Sequence, residues 1–235
     1  MLLVLSCSIP QEYLTALKRL YPKADFLVIE KQKNVYDTIS SHPDIYFYKS
    51  LPKTLICSNK IDRKILNALK RHDASIVKSS GFPIGKYPKT AILNACKVGK
   101  FVIHNQEITD LEIKKVEQIN NSIFIHVLQG YARCSIVPVG NHSIITEDVG
   151  IADKVTQCGI DVLLVRKSDI MLPGEKNGFL GGSSGVDTEG NVVFIGDISM
   201  HPDYDKIKQF LMLKNIGYKY IKKLALFDAG SIIFL

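Results

Sequence analysis

Several common features are missing from this sequence, and each absence argues against a class of protein. The five cysteines, Cys7, Cys57, Cys96, Cys134 and Cys158, form no CxxC pair and no even, closely spaced framework. That pattern argues against a disulfide scaffold or a structural zinc site and for a reduced, cytoplasmic setting. No window approaches the run of about eighteen apolar residues that a membrane span requires. The opening MLLVLSCS resembles a lipoprotein cleavage box, yet it has no cationic n-region and its apolar stretch is too short for a signal peptide. Basic residues never run longer than two, which argues against a nucleic-acid-binding tail, although a folded basic face remains open. Lysine plus arginine nevertheless outnumber aspartate plus glutamate by 30 to 23, and the net charge of +7 favours anionic partners in general. With 235 residues, 46% of them hydrophobic, the chain can build a sizeable core, and we expect one domain over residues 1–235.

What is present is a repeat. Five apolar runs each end in small or polar residues and pass into a helix-like stretch: LLVLSCSIPQEYL, TLICSNKIDRKIL, FVIHNQEITDLEI, SIITEDVGIADKV and VVFIGDISMHPDYDKI. The runs stop at Ser6, Cys57, His104, Thr146 and Gly196, at spacings of 51, 47, 42 and 50 residues. From Gly196 through the chain end back to Ser6 is 45 more, so the period closes on the termini. Start signals support the helices: Ser8 with Pro10 and Gln11, Asn59 with Asp62, Thr109 with Glu112, and Pro202.

A second strand follows each helix, and then a further strand: IYFYKS, AILNAC, CSIVPV, FLGGSS and SIIFL. Turn formers join four of these further strands to the next run, while SIIFL would pair with MLLVLS across the termini. The predicted fold is therefore an α/β, five-bladed propeller of ββαβ units with pseudo-fivefold symmetry, closed by its N- and C-terminal strands. Ring closure leaves no strand edge exposed, an advantage that an open three-layer sheet lacks.

Hairpin geometry then sorts the candidate residues. Cys134, at the start of a first strand, shares a face with His104, Asn105, Glu147, Asp148 and Asp197, whereas His142 lies in a turn at the other end. Asn94 is expected near the Cys134 face but further down. The glycine-rich GFLGGSSG has neither phosphate-loop spacing, so Gly181 and Gly182 read as points where backbone approaches the axis or a ligand. The segment SDIMLPGEKNG reads as a lid over the same face or as a surface excursion.

The stretch QGYARCSIVPVG resembles the cysteine segment of arginine deiminases and amidinotransferases, and together with the five-unit ring it looks like a bacterial branch of the pentein, or guanidino-group-modifying, superfamily. The resemblance implies a cysteine-dependent hydrolase or transferase for a small guanidino or amidino compound, needing no cofactor and no metal. Cys134 would be the nucleophile, with Arg133 lowering its pKa. Asp148 and Asp197 would hold the cation, with Asn94, Tyr131, Gly181 and Gly182 lining the substrate site. Where related hydrolases carry a histidine this chain has Ile92-Leu93-Asn94, which leaves His104 or His201 as acid/base and puts hydrolysis in question. The alternative is a non-catalytic ring that binds a small cationic ligand or, like translation initiation factor six, ribosomal RNA or protein.

Overall fold

A computed structural model describes residues 1–235. Five sheets of three strands each follow one another along the chain. Strand β1 (Leu2–Ser6) leads through helix α1 (Gln11–Leu20) to β2 (Asp25–Ile29), which pairs parallel with β1. A single helical turn, α2 (Pro43–Tyr46), opens the next unit of β3 (Phe47–Leu51), β4 (Thr54–Cys57), α3 (Arg63–Arg71) and β5 (Ser75–Lys78). The third unit holds β6 (Cys96–Val98), β7 (Phe101–His104), α4 (Leu111–Ile119) and β8 (Ile123–His126). The fourth starts with another helical turn, α5 (Ala132–Ser135), before β9 (Ile136–Val139), β10 (Ser143–Thr146), α6 (Val149–Gln157) and β11 (Asp161–Leu164). The fifth has β12 (Ser184–Val186), β13 (Val192–Phe194), α7 (Tyr204–Leu213) and β14 (Tyr218–Tyr220), and β15 (Ile233–Phe234) then returns to β1.

In every sheet the central strand has an antiparallel partner on one side and a parallel one on the other. The antiparallel pairs β6–β7 and β9–β10 turn through Gly99 and Gly140, whose φ values of +53° and +61° are easy only for glycine. The parallel pairs need the helical crossover between them. The expected pairing of the chain ends is present: Leu3 lies opposite Phe234 and Val4 opposite Ile233.

Central strands are continuous apolar runs because both their faces are covered; every residue of β1, β4 (Thr54 apart), β7, β10 and β13 is buried. The core forms five clusters, each bridging two units. Leu55 and Leu69 meet Val4 and Ile29, Ile56 meets Val102 and Ile113, and Ile103 meets Ile144 and Ile151. Ile145 meets Phe194 and Ile207, and Val193 and Phe227 meet Leu3 and Leu17, joining the last unit to the first.

Two expectations are corrected. The heads of the first strands are not strand: Cys134 lies in the α5 turn, and the residues preceding β3, β6 and β12 are likewise turns. The caps are also displaced. Asp62 and Asp110, rather than Asn59 and Thr109, accept the first free N–H groups of α3 and α4, because a carboxylate is the stronger acceptor at the positive end of a helix.

Candidate active site around Cys134

The turns that head the first strands converge, and their side chains meet. The Cys134 thiol donates to Asp44 Oδ2 at 3.1 Å and accepts from Asn94 Nδ2 at 3.3 Å. Asn94 Oδ1 in turn accepts the Cys134 backbone N–H at 3.2 Å. Ser231 Oγ donates to the same Asp44 oxygen at 2.8 Å and lies 3.2 Å from the Gly181 carbonyl. One polar side chain or carbonyl from each of five strand heads thus joins a single cluster. Asn94 touches the sulfur directly rather than lying further down, because the turn before β6 lifts it to the level of α5.

All these groups are buried, and burial sets their electrostatics. Desolvation, together with the carboxylates of Asp44 and Asp228, pushes the Cys134 thiol well above its ordinary range. Asp44 is also raised by burial, and Asp228 is raised to about 6. Asp228 accepts from the backbone N–H groups of Phe179 and Gly230, and its Oδ1 stands 4.0 Å from His42 Nδ1. Two polar atoms here have no partner: Asp44 Oδ1 and His42 Nε2. Buried polar atoms without partners are rare, so these two groups set the cluster apart from most of the core.

The remaining expected residues occupy other positions. His104 is not bonded to the thiol: its Nδ1 meets Thr109 Oγ1 and its Nε2 meets the carbonyls of Gly130 and Ala91, and burial lowers it to about 4. His201 accepts the Asp203 backbone N–H at the start of α7, again without contact to Cys134. The Arg133 guanidinium donates to the carbonyls of Ile136, Gly181 and Ser184 rather than to the thiol, and the thiol is raised by burial and by Asp44 and Asp228. Asp148 caps α6 and takes a bond from Gln129, and Asp197 accepts from Ser199 and Lys223, so neither faces the thiol cluster with a free oxygen. The Tyr131 hydroxyl bonds to Thr90 and Tyr36. Gly181 and Gly182 do mark close approach: a side chain would collide with the Arg133 and Cys134 carbonyls at the first and with the Asp228 carboxylate at the second.

A cleft of about 810 Å³ is lined by Gln129, Ser135, Glu147, Asp148, Lys167 and Phe179, among others, and none of the side chains bonded to the Cys134 thiol lines it. The SDIMLPGEKNG segment forms its other wall. It is tied to itself by Gly178 N–H donating to the Ile170 carbonyl, and to the segment that carries Asp228 by Met171 N–H donating to the Leu226 carbonyl and Asp228 N–H donating to the Met171 carbonyl. No group of three or more His, Cys, Asp or Glu side chains is arranged to hold a metal ion, and no helix is long and apolar enough to cross a membrane.

A family model described as a family of unknown function, DUF6873, matches residues 4–233. The chain belongs to the DUF6873 family. No curated protein matches this DUF6873 chain, but solved structures do. A C. jejuni agmatine deiminase superposes with a TM-score of 0.51 at 11% identity, covering 96% of this chain and 90% of that one. The amidinotransferase SxtG from Microseira wollei gives 0.50 at 11% identity, covering 96% and 88%. The N-terminal domain of ArgZ, a cyanobacterial arginine dihydrolase, gives 0.52 at 5% identity, covering 93% and 89%. All three are guanidino-modifying enzymes of the pentein superfamily, and at these identities the likeness establishes the fold.

Asp44, Asp228, Ser231 and His42 were not found by sequence reasoning. The repeat held a usable signal for two of them. Asn94, Cys134, Gly182 and Ser231 each lie two residues before their first strand, and Asp44 lies three before its own. Aligning the units on the turn, not on the apolar run, selects these positions.

Proposed function

We propose that residues 1–235 form one closed five-bladed pentein ring that binds a small guanidino or amidino compound against the Cys134–Asp44 cluster and reacts with it through the thiol. The observation that carries this reading is Asp44, wholly buried, with one oxygen on the Cys134 thiol and the other without any partner. An N–H of a planar cation satisfies that oxygen, and Asp228 supplies a second carboxylate nearby. The similar deiminase, dihydrolase and amidinotransferase support a guanidino or amidino group as the ligand.

A bound cation places positive charge beside both carboxyl groups and the sulfur, which favours their ionised forms. Sulfur then attacks the central carbon while its proton passes along the existing hydrogen bond to Asp44. Collapse breaks a C–N bond, Asp44 returns the proton to the departing amine, and an amidino thioether remains for water or an acceptor amine. Asp44 here does what an imidazole would do.

The test is labelling of the full chain with 2-chloroacetamidine near neutral pH. Selective modification of Cys134, ahead of exposed Cys158 and half-buried Cys7, and its loss in Asp44→Asn are the expected results. Labelling confined to Cys158 and Cys7 would sink the proposal. A second reading, binding without turnover, is favoured by the lack of any imidazole bonded to the sulfur. It predicts thermal stabilisation by a guanidino compound with no ammonia or amine released.

A further inference from the structure

The positive charge of this chain is concentrated in one stretch. Residues 51–100 hold eleven lysines and arginines against two aspartates, a net +9 in a chain whose total is +7, so the remaining residues together carry −2. Helix α3 is the centre of this excess. Arg63, Lys64, Lys70 and Arg71 are all exposed and lie two turns apart in two rows, about 10 Å along the axis, while Ile65 and Leu69 bury the opposite face. Lys60 and Lys78 extend the stripe past the start of the helix. None of these six cations has a carboxylate within 4.0 Å; among the lysines and arginines of residues 51–100 only Lys53 (to Asp73) and Lys97 (to Glu117) are paired in that way.

Folding does not ask for this arrangement. Arg63 and Lys64 occupy the first turn of α3, where the aligned peptide dipoles already present positive charge, and the only acid there is the capping Asp62. Two aromatic rings lie in the same stretch: Lys60 is 5.4 Å from the centre of the half-buried Phe82 ring, and Lys86 and Lys89 flank Tyr87, which packs one side near Tyr131 and is 50% exposed.

We propose that the outer face of the second unit, from α3 through residues 78–89, binds single-stranded nucleic acid. The lysines and arginines meet the phosphodiester backbone, and Phe82 and Tyr87 offer faces on which bases stack. An anionic membrane fits less well. The apolar side of α3 is buried in the protein's own core and cannot enter a bilayer.

The experiment measures fluorescence anisotropy of a labelled mixed-sequence RNA of about twenty nucleotides with the full chain, between about 50 and 200 mM salt. Binding that weakens steeply with salt is expected. The combined variant Arg63→Glu, Lys64→Glu, Lys70→Glu and Arg71→Glu should bind at least about tenfold more weakly and lose about three from the slope of log affinity against log salt. A variant with the same charge change elsewhere, Lys18→Glu, Arg19→Glu, Lys154→Glu and Lys208→Glu, should stay within about twofold of the α3 wild-type face. Thermal melts check folding, and the milder pair Arg63→Gln and Arg71→Gln replaces the quadruple variant if that fails to fold. Absence of RNA binding at the lowest salt would overturn the proposal. So would equal losses in the two charge variants, or α3-dependent binding to phosphatidylserine vesicles without binding to RNA.

Discussion

Two carboxylates lie wholly buried between units, and they have opposite fates. Glu117, between the second and third units, receives bonds from Tyr48, Ser50, Ser122 and the Lys97 ammonium, and these donors hold it below its ordinary pKa despite burial. Asp44 receives only a thiol and a serine hydroxyl, leaves one oxygen bare and is raised. Equal burial therefore says little about purpose. Completeness of the hydrogen bonding separates a structural acid from one held ready for a ligand.

Breaking the saturated site should have the largest effect. Glu117→Gln leaves the Lys97 ammonium facing a neutral amide and mismatches at least one donor, at an expected cost of about 3 kcal/mol in urea unfolding. By contrast, Asp44→Asn should change stability by less than about 1 kcal/mol, because so few bonds are lost, while abolishing stabilisation by guanidino ligands. Comparable destabilisation by the two variants would erase the distinction drawn here.

A pH series sharpens the same contrast through two other buried groups. Burial favours neutral His104, whose folded value is about 4 against 6.5 unfolded, so its contribution rises with pH across that interval by about 3 kcal/mol. Burial also favours protonated Asp228, at about 6 against 3.8, so its contribution is greatest below 3.8 and falls by about 3 kcal/mol as pH rises to 6. The two slopes oppose. The stability of wild type minus His104→Gln should therefore climb between pH 4 and 6.5 in denaturant titrations, and a flat difference would count against the buried, neutral imidazole. Tyr131→Phe, which removes the bonds to Thr90 and Tyr36, should cost about 1 kcal/mol in the same denaturant titrations.

The ββαβ order was legible because central strands buried on both faces must be apolar throughout, and crossover helices need amphipathic spacing. Hairpin geometry pointed to the end of the strands where Cys134 lies, but it set Asn94 further down than its direct contact with the sulfur and grouped His104, Asp148 and Asp197 with a thiol they do not touch. What stayed hidden was the partner set. Asp44 lies in SHPDIY, a stretch read as the approach to a strand, and nothing in its composition shows that a helical turn aims it at a sulfur ninety residues away. Asp228 and Ser231 were hidden for the same reason, since their neighbours come from the second and fifth units. His104 and His201 drew attention by residue type alone; the bonds that occupy their nitrogens come from loops whose paths are set by packing.

The pairing of β1 with β15 also constrains how the molecule is made. During synthesis the first strand emerges early with an open edge, and its partner is not available until Ile233 and Phe234 have left the ribosome. Until then β1 is a sticky ribbon, open to pairing with a neighbouring nascent chain.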